Sequence, residues 1–330
     1  MKKIIMISLL LILLICVVYS SADLVKSKEN SVENQTKKLS QTKVTAYLEQ
    51  AIPKQNNLIY CGTFQLAWNS LQDAIYGDEI RLKQNKEFAH KMNKKLFSER
   101  YIGNEYHVSK AGLLTKEFLN ELRTSLQDKF GEAAPEIKEK LKPKKQTILA
   151  YSYLSKKIKF KRQFDVFDRP LQFQTDKSKK NVNPFGIKRG LDQEDDSLKK
   201  QVDILNYKNN DNFILRLKTN AGVDEIILAK IEPKDNLLQT IDYVRQRIKQ
   251  NKNRTPNLQK NEVLQIPTMK FNLEHSYFNL IGDVVLNDGR IVTKAIQNID
   301  FRLNEAGATV RSKAKIKISK GIFRDKRSFI

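Results

Sequence analysis

The feature that most constrains the fold of this 330-residue chain is a two-residue alternation that runs from position 308 to position 319. One set of positions is apolar or small: Ala308, Val310, Ser312, Ala314, Ile316 and Ile318. The other set is polar and mostly basic: Thr309, Arg311, Lys313, Lys315, Lys317 and Ser319. Successive side chains of a β-strand point to opposite faces, so this pattern predicts a strand with one buried face. A strand of this length needs a sizeable sheet beside it.

The rest of the chain predicts an α+β fold, with a helical N-terminal half and large, mostly antiparallel sheets in the second half. Residues 116–130 carry apolar side chains at helical spacing, and Thr115 is a suitable N-cap. Further apolar periodicity predicts a short helix over 43–52 and another over 237–248. Strands are predicted at 147–154, 201–207, 212–217, 225–231, 262–273 and 291–303.

The first 22 residues are typical of a signal peptide. Lys2 and Lys3 precede an uninterrupted apolar run from Ile4 to Tyr19, and small residues follow up to Ala22. We expect cleavage after Ala22 and a secreted or periplasmic protein. An uncleaved membrane anchor is the alternative, and lipidation at Cys16 is less favoured. Residues 23–42 are predicted to be a polar tether, and 43–330 a single domain that is monomeric.

The chain is strongly basic, with a formal net charge of +23. Such a charge favours anionic partners such as polyanions, envelope polymers or membrane surfaces. Lys83–Lys95 and Lys138–Lys145 are candidate polyanion patches, although ordinary solvated surface is the favoured interpretation of both. No nucleic-acid-binding motif accompanies the charge, so we expect no specific nucleic-acid partner.

The sequence offers little for catalysis. Cys61 could act as a nucleophile with His107 or His275 as its base, but a small buried residue at a strand end is the favoured interpretation. His and Cys residues do not occur at metal-binding spacing. We therefore expect a protein that is not an enzyme and has no catalytic residues, metal or cofactor.

Several segments, in order, resemble the serpins, a superfamily of serine protease inhibitors. Residues 57–67 resemble a strand leading into a helix, 148–173 a central sheet strand, and 200–244 a strand pair. Residues 266–277 resemble a further strand, 299–308 a strand running into a hinge, and 323–329 a segment leading into a second sheet. The resemblance implies a serpin-like fold over 43–330 and a divergent, bacterial-type member. The family continues beyond the position that matches Ile330, so the C-terminal sheet strands are expected to be incomplete.

The resemblance also implies three groups of site residues. The hinge and reactive-loop region comprises Glu305, Gly307, Ala308, Val310, Ser312 and Ala314. The candidate bait residues for a trypsin-like serine protease are Lys313, Lys315 and Lys317. The region that opens the sheet, called the shutter in this family, matches Cys61, Phe64, Ser152 and Gln297.

Departures from the family pattern favour a non-inhibitory role. Only 15 residues separate Gly307 from Phe323, a span of at most about 50 Å. The alternation from position 308 favours a fixed strand over a flexible bait loop, and Phe64 replaces a hydroxyl residue. We therefore expect an exported binding or scaffold protein whose partner is an envelope protein or a polyanion. A protease inhibitor that acts by loop cleavage and insertion is the alternative, and another β-rich envelope protein or a damaged gene product is the third hypothesis.

Overall fold

The structure is a computed structural model of the chain. It describes residues 3–7, 14–18, 42–54, 56–141, 146–174, 179–188, 196–222, 224–251, 258–259 and 262–321. The segment 323–329, on which part of the family resemblance rests, lies outside these ranges, as does most of the predicted tether.

The described residues form helices and strands in a mixed order along the chain. The helices are α1 (Thr63–Leu71), α2 (Lys86–Asn93), α3 (Lys116–Phe130), α4 (Asp196–Lys199) and α5 (Leu237–Gln250). The strands of the first half are β1 (Lys3–Ile7), β2 (Leu14–Val18), β3 (Thr42–Thr45), β4 (Asn57–Cys61), β5 (His107–Leu113), β6 (Ile148–Lys159) and β7 (Asp165–Val166). The later strands are β8 (Leu171–Gln174), β9 (Lys179–Val182), β10 (Pro184–Ile187), β11 (Val202–Asn209), β12 (Asn212–Lys218), β13 (Glu225–Ile231), β14 (Leu264–Pro267), β15 (Met269–Ser276), β16 (Ile291–Asn304) and β17 (Gly307–Ser319). The predicted α+β class is confirmed.

The chain divides into two compact units. The first comprises Met1–Gly62, Ser155–Leu273 and Ile299–Arg311, and the second comprises Thr63–Leu154, Glu274–Asn298 and Ser312–Ile330. Strand β17 therefore contributes its first five residues to the first unit and the remainder to the second.

The first unit contains a seven-stranded sheet in the order β11-β12-β13-β1-β2-β4-β3. Strands β11, β12 and β13 pair antiparallel, as the three predicted strand runs require. Residues of the apolar N-terminal run pair there as well: β1 lies antiparallel to β13, and β2 lies antiparallel to β4. Among the described residues, no helix is both long enough and apolar enough to cross a membrane. Cleavage after Ala22 stays a prediction.

An aromatic cluster stabilises another part of the first unit. The ring of Phe160 lies 4.8 Å, centroid to centroid, from that of Phe164, and both pack near Phe185. All three side chains are buried, so they anchor the chain that leaves β6 against the three-stranded sheet β14-β10-β7.

The second unit is built around α3. The Thr115 hydroxyl accepts a hydrogen bond from the Phe118 amide at 3.2 Å, which is the predicted N-cap. Leu119, Leu122 and Leu126 are buried on one face of this helix. They pack in one apolar cluster with Val108, Ile137, Leu149, Tyr151 and Tyr153. This cluster joins α3 to β5 and β6, which pair antiparallel.

The predicted helix over 43–52 is wrong. Residues 42–45 form β3, which pairs parallel to β4, and residues 46–49 form bends and turns. The Thr45 hydroxyl bonds to the backbone of Tyr47, which supports a turn at this point. Pairing with a buried neighbouring strand outweighs the weak helical periodicity of so short a segment.

Candidate functional site

Strand β17 carries all of the residues predicted as hinge and bait after Glu305. It lies in a five-stranded sheet of order β15-β16-β17-β6-β5, so it has a sheet neighbour on each side. Every apolar or small position from Ala308 to Ile318 is buried, whereas Thr309, Arg311, Lys313 and Lys317 are partly or fully exposed. Two residues of the polar set, Lys315 and Ser319, are also buried, so something covers the polar face near the end of the strand.

The strand begins at a tight turn in the first unit. Strand β16 ends at Asn304 and β17 begins at Gly307, with Glu305 and Ala306 in the turn. The Asn304 side chain accepts a hydrogen bond from the Ala306 amide at 3.2 Å. The turn is fixed to the chain after β6, because the Phe164 amide donates to the Glu305 carbonyl at 3.0 Å.

Gly307 is needed at the start of β17 for two reasons. Its φ of +145° lies in a region that L-residues with a side chain rarely adopt. A Cβ at this position would also lie 2.0 Å from the carbonyl oxygen of Ile158. The absence of a side chain at Gly307 therefore permits close backbone approach to β6.

A chain of hydrogen bonds in the second unit fastens the middle of β17. The Ser312 hydroxyl donates to the Asn298 carbonyl at 2.9 Å and lies 2.7 Å from the Thr63 hydroxyl. Thr63 in turn accepts from the Gln297 amide nitrogen at 2.8 Å, and the Gln297 oxygen accepts from the Tyr277 hydroxyl at 2.8 Å.

The last hydrogen bond of this series determines which group donates at every earlier step. A backbone carbonyl only accepts, so Ser312 uses its single hydroxyl proton on Asn298 and must accept from Thr63. Thr63 is then left to accept from Gln297. The four side chains are satisfied in one direction, from Tyr277 through to the strand, and a buried polar chain that is fully satisfied specifies one arrangement.

Of the four predicted shutter residues, Phe64 and Gln297 both contact Tyr277. Gln297 belongs to the hydrogen-bond chain, and Phe64 packs its ring 4.1 Å from that of Tyr277. Ser152 is buried and its hydroxyl accepts a hydrogen bond from the Ser109 hydroxyl at 2.9 Å. Cys61 is buried at the end of β4 in the first unit.

Glu139 covers the polar face of β17 near its end. Its carboxylate accepts from the Lys315 amine at 2.8 Å through one oxygen and from the Lys317 amine through the other. The side chains of Glu139, Lys315 and Lys317 are 5%, 10% and 19% exposed. The Lys315 amine also lies 5.7 Å from the centre of the Tyr151 ring. We call this ion-paired cluster of Glu139, Lys315 and Lys317 the latch.

Electrostatics supports the charged form of the latch. Burial alone would raise the pKa of Glu139, but the hydrogen bonds and charges of the two lysines together hold that pKa below its usual value. Burial, followed by the neighbouring charge of Lys315, lowers the pKa of Lys313. Lys313, the third candidate bait residue, is therefore influenced by the charge of Lys315 but is not a member of the latch.

Two residues of this site escaped the sequence-based prediction. Thr63 immediately follows the Cys61-Gly62 pair and begins α1, so a hydroxyl at a strand-to-helix junction was the available signal. Glu139 lies in the segment between α3 and β6, 176 positions from Lys315. No local pattern reports a contact of that range.

Each histidine considered as a catalytic base has contacts of its own in the second unit. The His107 side chain is buried and lies 3.5 Å from a Glu99 carboxylate oxygen. Burial lowers the pKa of His275, whose ring packs edge-on against Tyr277. Within the described ranges, no three His, Cys, Asp or Glu side chains cluster in a way that could hold a metal ion.

No protein-family model matches this sequence, and no curated protein is similar to it at a significant level. Solved structures do match. The structure of the viral serpin CrmA is 12% identical, with 78% of this chain and 92% of that chain covered and a TM-score of 0.46. The chain is similar in fold to serpins. Ovalbumin from emu is 9% identical, with 81% and 91% covered and a TM-score of 0.44. Reactive-loop-cleaved human thyroxine-binding globulin is 10% identical, with 78% and 90% covered and a TM-score of 0.43.

Proposed function

We propose that this chain is an exported serpin-like protein that does not inhibit proteases and instead acts by binding a partner. The observation that carries the proposal is the position of β17 between β16 and β6 in an uncleaved chain. An inhibitor of this family offers the corresponding segment as an exposed loop, which inserts into the sheet only after cleavage. Here the candidate bait residues are already part of a sheet strand.

Three contacts support a permanent strand. Gly307 permits close approach to the Ile158 carbonyl, Ser312 ends a satisfied hydrogen-bond chain, and Ser319 lies 2.8 Å, oxygen to oxygen, from the Thr147 hydroxyl. A protease must bind its substrate segment in an extended, accessible form. A strand with a sheet neighbour on each side and one buried face does not meet that need.

Incubation with trypsin tests the proposal. We expect no adduct that survives denaturing gel electrophoresis, and trypsin whose active-site serine has been blocked serves as the control for non-covalent association. A band at the summed mass, formed by active but not by blocked trypsin, would show that the chain is a working inhibitor. Heating gives a second measurement: nicked protein should not unfold at a higher temperature than intact protein.

We further propose that the partner is anionic, because the formal net charge is +23. Binding to polyphosphate should weaken steeply as salt rises, since counterion release drives such association. If polyphosphate does not bind even at low salt, the proposal of an anionic partner is wrong. The proposal that the chain does not inhibit proteases would be unaffected by that result.

A further inference from the structure

The latch places a carboxylate on two of the three candidate bait lysines. Alternation along β17 puts Lys315 and Lys317 on the same face, and Glu139 lies between their ammonium groups with one oxygen for each. Because all three side chains are largely buried, removing the carboxylate would leave two poorly solvated positive charges, which is strongly unfavourable.

The segment that carries Glu139 is held independently of β17. It follows α3, and Ile137 packs in the apolar cluster with Leu122 and Leu126. The Ile137 carbonyl also accepts a hydrogen bond from the Arg123 side chain at 3.5 Å. The carboxylate is therefore delivered to the strand from a separate, anchored element, so the contact can break without unfolding that element.

Trypsin-like proteases recognise a lysine by placing its ammonium group on a carboxylate at the base of a specificity pocket. In this protein the Glu139 carboxylate already binds the ammonium groups of Lys315 and Lys317. We propose that the latch is a protective contact that withholds both lysines from trypsin-like proteases and keeps the end of β17 in the sheet. This inference rests on the proposed function, in which β17 is a permanent strand. It identifies Glu139 as the residue that keeps the end of β17 from leaving the sheet.

The variant Glu139→Gln tests the latch, with Glu136→Gln as its matched control. Glu136 lies three positions earlier in the same segment and pairs only with the exposed Lys138 among the contacts that the structure gives it. Limited digestion with trypsin, followed by mass spectrometry, gives a separate cleavage rate for each site. We expect Glu139→Gln to raise cleavage after Lys315 and Lys317 at least tenfold, with cleavage after the exposed Lys83 as the internal reference.

Unchanged rates at the two lysines would overturn the latch, as would an equal rise at Lys83, which would indicate general unfolding. If the variant does not fold, acetylation of the unaltered protein gives an independent test. Lys315 and Lys317 should react at least tenfold more slowly than the exposed Lys294 on β16, and equal reactivity would overturn the proposal. A stable trypsin adduct of the unaltered chain would refute the proposed function instead, so the two failures are distinguishable.

Discussion

Replacing Thr63 with valine tests the hydrogen-bond chain that fastens β17. Valine is close to threonine in shape, so the change removes a hydroxyl without opening a large cavity. The buried Gln297 amide then loses its acceptor, which costs about 1–3 kcal/mol, and the bond to Ser312 is worth about 1 kcal/mol more. We expect the free energy of unfolding to fall by about 2–4 kcal/mol.

Urea unfolding followed by the fluorescence of Trp68 measures this loss. Trp68 is the single tryptophan of the chain, and it lies in α1 with Thr63, so it reports on the second unit. The control is Thr124→Val, because the Thr124 side chain is exposed on α3 and the change should alter stability by less than about 0.5 kcal/mol. If Thr63→Val is as stable as this control, the chain of hydrogen bonds does not hold the strand.

Three further perturbations follow from the structure. Gly307→Ala should lower the free energy of unfolding in urea by at least about 3 kcal/mol, because the added Cβ meets a backbone carbonyl. The control Gly222→Ala should cost about 1–2 kcal/mol, because Gly222 has φ +72° but open space around it. Equal losses would contradict the close approach at Gly307. The lowered pKa of Glu139 means that the latch stabilises the fold above the ordinary glutamate pKa of about 4.3 and that this stabilisation disappears as the pH falls through the lower folded-state value. The stability difference from Glu139→Gln should therefore shrink in acid, and a constant difference would refute the assignment. Leu122→Ala should cost about 2–5 kcal/mol in thermal or urea unfolding, since Leu122 is fully buried in the α3 cluster, and a loss below about 1 kcal/mol would contradict that packing.

Much of the fold could be predicted because its patterns are local. The alternation after Gly307 indicated a half-buried strand, and burial along β17 follows it at all six apolar or small positions. The α3 helix and its Thr115 cap followed from side-chain spacing within 16 residues. Local patterns failed at 43–52, where pairing with β4 decides the conformation of a segment that is apolar at helical spacing.

The candidate site was only partly predictable because its bonds join distant segments. Gln297 and Ser312 could be proposed from the family resemblance, but the Thr63 hydroxyl between them could not. Lys315 belongs to the polar set by alternation, yet it is buried because Glu139 comes from a distant loop. A two-residue period describes one strand and its own sheet, and it carries no information about what packs over the polar face.

The two-residue turn at Glu305 and Ala306 has a consequence for the order in which the chain folds. A hairpin with so short a connection forms in about 1–10 μs. Pairing of β17 with β6 must bring together residues about 150 positions apart, which is slower because a long loop must close. The hairpin should thus form first and reach β6 as a preformed ribbon. Newly made and refolded protein should then arrive at the same final state, because β17 is already paired with β16 when it meets β6.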